Sequence, residues 1–182
     1  AEPTRSVFRD RPDITVLMDD VKAVDVAARE VRLCDDSIRY DYLIVALGGV
    51  TTYFGKNEWE GHAPGLKTLE DALKIRRKIL TSYEKAESTG DLAERERLMT
   101  IVVVGGGPTG VELAGSMAEL SNTVFRRDFR RIDTRQSKIL LVDPGDRVLR
   151  NFPPELSASA QRQLEELGVT IVLGERVVNV TD

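Results

Sequence analysis

Residues 100–115 read Thr-Ile-Val-Val-Val-Gly-Gly-Gly-Pro-Thr-Gly-Val-Glu-Leu-Ala-Gly. The β-branched run at residues 101–104 is typical of a strand that is buried on both faces of a parallel sheet. A glycine motif follows at once, with Gly105, Gly107 and Gly110 in the spacing G-x-G-x-x-G. Apolar residues then continue at helical spacing. The stretch therefore predicts a strand, a glycine turn and a helix, which is the context in which this motif binds a dinucleotide.

Each glycine of the motif has a separate expected task. Gly105 permits the tight turn out of the strand, Gly107 lets a pyrophosphate approach the backbone, and Gly110 lets the helix pack close to the strand. The free N–H groups and the partial positive charge at the helix N-terminus suit phosphates. A glycine-rich turn without a ligand is the alternative. The predicted cofactor-binding residues of the turn are Gly105, Gly106, Gly107, Pro108, Thr109 and Gly110.

The composition limits the class of protein. The chain has 182 residues, of which 41% are apolar and 31% charged, so we expect a buried core and a solvated surface. A net charge of −4 argues against nucleic acid as the main partner. Cys34 is the single cysteine, which excludes an intrachain disulfide and suits a reducing compartment. We predict no metal site and give His62 no catalytic role.

The first 50 residues contain short apolar runs bounded by polar turns. The predicted strands are residues 14–17, 21–26, 30–33 and 42–47. Two glycines, Gly48 and Gly49, end the last of these, and two glycines at the end of a buried strand leave room for a bound group. A tight exit turn is the simpler interpretation of the pair. Residues 51–66 are rich in glycine and lack periodicity, so they predict a linker and a domain boundary.

Two helical segments precede the glycine motif. Thr68-x-x-Asp71 is a loose capping box, with Asp in place of the usual Glu, and it opens an apolar stripe at helical spacing. That helix is expected to end near Gly90. Residues 91–98 are charged and read as a short helix or as a solvated loop. After the motif, the helix is expected to run from Pro108 to about residue 120.

The rest of the chain supplies further strands and one more helix. Residues 124–138 are rich in arginine and read as a solvated helix face, with a patch for an anionic membrane or phosphate as the alternative. Strands are predicted at residues 139–142, 169–173 and 176–180, and a helix opens at Pro153 and ends before Gly168.

Asp143 directly follows the predicted strand at residues 139–142. An acidic residue at this position accepts hydrogen bonds from a ribose diol and repels a 2′-phosphate, so Asp143 favours NADH over NADPH. Its distance along the chain from Gly110 is larger than the usual spacing, because the arginine-rich segment is inserted between them. A surface aspartate that opens the turn at residues 143–146 is the alternative.

Six motifs in this order resemble one known family. They read Y-D-Y-L-I-V-A-L-G-G (40–49), H-A-P-G-L-K-T-L-E-D-A (62–72), V-V-V-G-G-G-P-T-G-V-E-L-A-G (102–115), D-F-R-R-I-D (128–133), L-L-V-D-P-G-D-R-V-L (140–149) and L-G-V-T-I-V-L-G-E-R-V (167–177). With them the chain resembles the type II NADH dehydrogenases, flavoproteins similar to the pyridine-nucleotide–disulfide reductases. The redox-active cysteine pair of the disulfide reductases is missing. The resemblance covers nearly the whole chain.

The resemblance implies the α/β class, a Rossmann-like dinucleotide-binding domain with a β-meander, preceded by the C-terminal strands of a truncated FAD-binding domain. It divides the chain into residues 1–50, a partial FAD-binding domain with the β-meander and an exit strand; residues 51–66, the linker; and residues 67–182, the NADH-binding domain, truncated at its C-terminal end. Gly48 and Gly49 would lie near the flavin. The glycine motif of the FAD site would precede residue 1, so we expect residues 1–182 alone to hold no FAD and to be inactive.

The implied activity is hydride transfer from NADH to FAD and then to a quinone. The implied partners are NADH, a quinone, a second copy in a homodimer, and the cytoplasmic face of a membrane, reached peripherally through other parts of the protein. Glu112 matches the Glu of the family's G-x-G-x-T-G-x-E, which implies a catalytic role in nicotinamide positioning and in quinone-linked proton transfer. A carboxylate that only stabilises the helix dipole is the alternative for Glu112. Two other functions stay open: a ferredoxin or rubredoxin reductase, and a non-catalytic dinucleotide-binding domain.

Overall fold

The computed structural model describes residues 2–181 of the chain. The chain divides into two compact units after Gly49. The first unit contains a short helix and a small antiparallel sheet, and the second contains a parallel sheet with helices. This confirms the predicted α/β class.

The sheet of the first unit is a three-stranded meander. A one-turn helix, α1 (Thr4–Val7), precedes the strands β1 (Ala23–Asp25), β2 (Glu30–Arg32) and β3 (Ser37–Arg39), which pair antiparallel in the order β1-β2-β3. Two of the predicted strands are therefore confirmed in shortened form. The third was not predicted, because its three residues Ser-Ile-Arg are too few to show an alternating apolar pattern.

Two predicted strands of the first unit are wrong. Residues 14–17 are irregular, and Leu17 is mostly exposed. Residues 42–47 are irregular as well, and Ile44 is 90% exposed although it lies in an apolar run. An apolar run becomes a buried strand only where other strands pair with it. Within residues 2–181 no strand pairs with residues 42–47.

The second unit alternates helices and strands. Its elements are a 3₁₀ helix (Asn57–Gly61), α2 (Leu69–Ser88), α3 (Leu92–Leu98), β4 (Thr100–Val104), α4 (Pro108–Asn122), α5 (Phe125–Asp128), a second 3₁₀ turn (Thr134–Gln136), β5 (Lys138–Asp143), α6 (Pro154–Glu166) and β6 (Val169–Leu173). The three strands are parallel, in the order β4-β5-β6. Residues 51–66 fall within this unit. The strand predicted at residues 176–180 is wrong, since that segment is irregular and pairs with no other strand in the described part of the chain.

Side-chain caps fix the starts of α2 and α3. Thr68 and Asp71 form the capping box, with the Asp71 amide donating to Thr68 Oγ1 (3.1 Å) and the Thr68 amide donating to Asp71 Oδ2 (3.0 Å). Asp91 caps α3 by accepting hydrogen bonds from the amides of Ala93 and Glu94. The charged segment at residues 91–98 is therefore a helix, the first of its two predicted alternatives.

Two apolar clusters hold the second unit together. The larger one lies between the sheet and helices α4 and α6, and its buried members are Val103, Ala114, Ala118, Ile139, Leu141, Val148, Leu164 and Val169. The smaller one is centred on Tyr83 of α2, whose ring stacks against those of Phe125 and Phe129. The Tyr83 hydroxyl is satisfied by hydrogen bonds with Ser121 Oγ and Ser137 Oγ. The sheet, α4 and α2 are thereby tied into one body.

The arginine-rich segment, residues 124–138, is not the solvated helix that its charge pattern predicts. Only the four residues of α5 are α-helical there. Phe125, Phe129 and Ile132 are buried, while the arginines between them are exposed. The prediction failed because charge masked these three apolar residues, which pack into the smaller cluster.

Glu87 of α2 fixes the backbone of that segment. Its carboxylate accepts hydrogen bonds from the amides of Arg130 (3.0 Å), Arg131 (2.8 Å) and Ile132 (3.0 Å). Desolvation by itself raises the pKa of Glu87, but the three amide donors outweigh it and lower the pKa below its ordinary value of 4.5. The segment is thus pinned through its main chain.

None of the helices within residues 2–181 combines the length and the apolar character that crossing a membrane requires.

Candidate functional site

The glycine turn lies at the carboxyl end of β4, where β4 is tied to its neighbour. The Gly105 amide donates to the carbonyl of Val142 at the end of β5 (2.8 Å). Gly105 has a φ of +110°, which residues with a side chain rarely adopt. The turn between strand and helix therefore requires glycine at this position, as the motif predicts.

Gly107 and Gly110 differ in what surrounds them. A Cβ on Gly110 would lie 1.9 Å from the carbonyl oxygen of Gly105, so only glycine permits this approach of α4 to the turn. A Cβ on Gly107 would meet no atom within 4 Å. Gly110 is therefore required by the fold, whereas Gly107 borders open space. Open space beside a bare backbone is the form that a pyrophosphate cradle takes.

The N-terminus of α4 faces this open space. Gly107 is the N-cap residue and Pro108 occupies the first helical position, where its missing N–H costs nothing. Amides of a first helical turn have no acceptor within the helix, so those of Thr109 and Gly110 are available to a ligand. These donors and the helix dipole favour an anion at the turn. The residues present therefore fit the pyrophosphate of a dinucleotide.

Asp143 is joined to the glycine turn by its side chain. Asp143 Oδ2 accepts a hydrogen bond from the amide of Gly106 (2.7 Å), and Oδ1 accepts one from the amide of Gly145 (2.7 Å). The residue is only 8% exposed. Asp143 does open the turn that follows β5, but it is not the surface aspartate of the alternative interpretation. Its carboxylate lies beside the turn, where the motif requires the acidic residue to be.

The loop after β5 adds a second link to the turn. The Leu149 amide donates to the carbonyl of Gly106 (2.7 Å), so the Gly106 backbone is bound through its carbonyl by this loop and through its N–H by Asp143 at the end of β5. Leu149 takes a positive φ of +51° to do so. Arg150 lies next to Asp143, with Nη2 3.8 Å from Asp143 Oδ1. These contributions of Gly145, Leu149 and Arg150 were not predicted from the sequence. The signal that could have found them is the run D-P-G-D-R-V-L-R directly after the acidic residue.

Glu112 lies beyond the first turn of α4, which is the part of a helix where the dipole stabilises a carboxylate. With Pro108 as the first helical residue, Glu112 is the fifth and belongs to the second turn, and no acidic residue lies in the first turn. Its side chain is exposed. Stabilisation by the helix dipole falls off within the first turn. This weakens the alternative that Glu112 only stabilises the helix dipole. The catalytic role of Glu112 stays a prediction.

Gly48 and Gly49 belong to the first unit and have no comparable cradle. Gly48 has a φ of +70°, and a Cβ on either residue would meet no atom within 4 Å. The residues before them are irregular and exposed. Within the described residues nothing encloses a ligand there, so the flavin contact of these two glycines stays a prediction.

Comparison with known proteins agrees with this geometry. Residues 3–182 match the pyridine nucleotide-disulphide oxidoreductase family. The chain is 42% identical, over 99% of its length, to the type II NADH:quinone oxidoreductase NdhA of Mycobacterium tuberculosis. It is 33% identical, again over 99% of its length, to the external NADH-ubiquinone oxidoreductase 2, mitochondrial, of Saccharomyces cerevisiae. It spans 39% of the length of the first of these relatives and 35% of the second.

Solved structures give the same picture at the level of the fold. NDH2 from Plasmodium falciparum in complex with NADH superposes with a TM-score of 0.70 and 26% identity, over 91% of this chain and 35% of that one. A ferredoxin reductase from Rhodopseudomonas palustris superposes with a TM-score of 0.60 at 18% identity, over all of this chain and 37% of that one. The second likeness concerns the fold alone.

Proposed function

The chain belongs to the pyridine nucleotide-disulphide oxidoreductase family, and we propose that it is the NADH-binding part of a flavoenzyme that reduces a quinone. The observation that carries the proposal is the glycine turn with the Asp143 carboxylate bound to Gly106 at 2.7 Å. This joins an anion-binding helix N-terminus to an acidic residue that suits a ribose diol. The names of the relatives, which are quinone oxidoreductases, support the choice of acceptor.

The residues of this chain bind and orient the nucleotide. The amides of Thr109 and Gly110 hold the pyrophosphate, with the bare backbone of Gly107 allowing its approach. Asp143 holds the adenosine ribose and disfavours a 2′-phosphate, so NADH is the preferred nucleotide. Asp143 and the amide of Leu149 bind the two polar groups of the Gly106 backbone, so the turn is held in the binding geometry before the ligand arrives. FAD bound in the complete protein would supply the hydride acceptor, and Gly48 and Gly49 would lie near it.

Glu112 is proposed as the catalytic residue that this chain contributes. Its carboxylate is exposed on the second turn of the phosphate-binding helix, free of any role in the core. By resemblance to the family motif G-x-G-x-T-G-x-E, we propose that Glu112 positions the nicotinamide and takes part in quinone-linked proton transfer. A residue in that role affects turnover far more than it affects stability.

The domain assignment follows from the same proposal. Residues 1–50 are part of an FAD-binding domain, in which Gly48 and Gly49 approach the flavin, residues 51–66 link the domains, and residues 67–182 belong to the NADH-binding domain. The complete enzyme is peripheral on the cytoplasmic face of a membrane and takes its quinone there, and it forms a homodimer.

The test compares electron acceptors in the complete protein. We expect steady NADH oxidation with a water-soluble quinone and little or none with an oxidised ferredoxin. A protein that oxidises NADH only with the ferredoxin is a protein-reducing flavoenzyme, and the quinone assignment is then wrong. A protein that binds NADH but oxidises it with neither acceptor is a non-catalytic dinucleotide-binding protein.

A further inference from the structure

One peptide group in the loop after β5 is held from both sides. The carbonyl of Val148 accepts a hydrogen bond from the hydroxyl of Ser157 on α6, and the amide of Leu149 donates to the carbonyl of Gly106 (2.7 Å). This carbonyl and this amide belong to the same trans peptide, so they point in opposite directions. Ser157 and Val148 are both buried. The Val148–Leu149 peptide therefore connects α6 to the glycine turn away from water.

A second peptide continues this connection towards the nucleotide site. The carbonyl of Gly106 and the amide of Gly107 belong to one trans peptide, so the Gly107 amide points away from Leu149. Within residues 2–181 the Gly107 amide has no hydrogen-bond partner, and it borders the open space beside Gly107. Hydrogen bonds in such a chain polarise one another. Two peptides thus lead from the Ser157 hydroxyl to a donor at the pyrophosphate cradle.

The Val148–Leu149 peptide has an orientation that is unfavourable for leucine. Leu149 has a φ of +51°, at which its Cβ comes too close to the following carbonyl oxygen. Reversing the peptide plane would give Leu149 a negative φ, which leucine prefers. It would also turn the amide away from Gly106 and the carbonyl away from Ser157. Strained backbone of this kind persists only where the surrounding structure holds it.

We propose that Ser157 is a positioning residue for nucleotide binding: its hydroxyl holds the Val148–Leu149 peptide in the orientation that aims the Gly107 amide at the pyrophosphate. The proposal rests on the proposed function, since it takes the glycine turn to be the nucleotide site. Without the hydroxyl, the buried Val148 carbonyl loses the donor that it has in the structure, and this favours the reversed peptide. The affinity for NADH then falls with the fraction of protein that keeps the binding orientation.

The test measures NADH binding by calorimetry in the complete protein and its Ser157→Ala variant. The affinity of Ser157→Ala should fall by about 5- to 50-fold, because release of the strain at Leu149 favours the reversed peptide. Ser157→Cys should show a smaller loss, since a thiol is a weaker donor than a hydroxyl. Unchanged NADH affinity in both folded variants would overturn the proposal.

Thr134→Val is the matched control. Thr134 is buried like Ser157, and its hydroxyl also donates to a main-chain carbonyl, that of Ser121 (2.6 Å) near the far end of α4. Thr134→Val should lower Tm, because the Ser121 carbonyl loses this donor. Its NADH affinity should change by less than about twofold, since the substitution is distant from the glycine turn. Equal losses of NADH affinity in Thr134→Val and Ser157→Ala would show that Ser157 acts only through stability, which contradicts the proposal.

Leu149→Gly tests whether strain at Leu149 is the reason that Ser157 is needed. Glycine adopts a positive φ without strain. In the Leu149→Gly background, Ser157→Ala should therefore lower NADH affinity by less than about threefold. A loss as large in this background as in the wild-type background would contradict the proposal. Failure of the wild-type protein to bind NADH is a different result, which refutes the nucleotide site itself.

Discussion

Replacing Gly107 with valine should separate nucleotide binding from folding. The backbone of Gly107 has φ −76° and ψ 179°, which any residue can adopt, and its Cβ would meet no atom within 4 Å. A branched apolar residue is a poorer N-cap than glycine, so we expect Gly107→Val to lower the free energy of unfolding by about 1 kcal/mol. For a domain of 150–250 residues that corresponds to a decrease in Tm of about 2–4 °C, and the decrease should be smaller in the longer complete protein.

The effect on NADH should be much larger. The valine side chain would fill the space through which the pyrophosphate approaches the helix N-terminus. Each hydrogen bond between an amide and a charged phosphate contributes about 1.5–3 kcal/mol, which is about 10- to 150-fold in affinity. Loss of at least one such bond, together with steric exclusion, should weaken NADH binding by at least about 100-fold.

Calorimetric titration with NADH and thermal melting of the complete protein measure the two effects together. Gly110→Ala is the control, and it should disturb the fold itself, because its Cβ would lie 1.9 Å from the Gly105 carbonyl oxygen. That overlap forces α4 away from the turn and should cost about 3 kcal/mol or more in stability. A folded Gly107→Val protein with wild-type NADH affinity would refute the site.

Three further changes test the side chains around the turn. Glu112→Gln should lower quinone reduction while Tm changes little, because the side chain is exposed; wild-type turnover would leave Glu112 without a catalytic role. Asp143→Asn should narrow the preference for NADH over NADPH, mainly by weakening NADH binding. It should also lower the free energy of unfolding by about 1–3 kcal/mol, since the side-chain NH₂ would then face a backbone N–H. Unchanged NADH affinity in calorimetry would contradict this prediction. Glu87 has a lowered pKa, so its contribution to stability is complete above the ordinary value of 4.5 and is lost as the pH falls through the lower folded-state value. Glu87→Gln should therefore flatten the decrease of Tm between about pH 7 and pH 3, and an unchanged profile would show that the carboxylate does not hold the segment.

The glycine turn could be predicted from the sequence because its physical causes are local. A β-branched run, three spaced glycines and a helical pattern lie within 16 consecutive residues. The positive φ of Gly105 and the crowding at Gly110 agree with the tasks that the spacing implies. The capping box at Thr68 was predictable for the same reason, whereas the cap at Asp91 was not predicted.

The parts that failed depend on contacts between distant residues. The Gly106 amide and the Asp143 carboxylate are 37 positions apart, so their hydrogen bond cannot be read from spacing. Glu87 accepts hydrogen bonds from backbone amides more than 40 positions away in the arginine-rich segment. The charge pattern of that segment predicts a solvated helix and gives no sign of these contacts. Residues 42–47 have the composition of a buried strand, but composition does not supply a neighbouring strand.

The most direct test of the proposed function is an anaerobic titration of the complete protein with NADH, followed by the visible absorbance of the flavin. We expect NADH to bleach the flavin in proportion to the amount added, and a quinone then to restore the absorbance. The Gly107→Val protein should not be bleached at the same NADH concentrations. A wild-type protein that binds NADH while its flavin stays oxidised would show that NADH does not reduce the flavin, and the proposed function would be wrong.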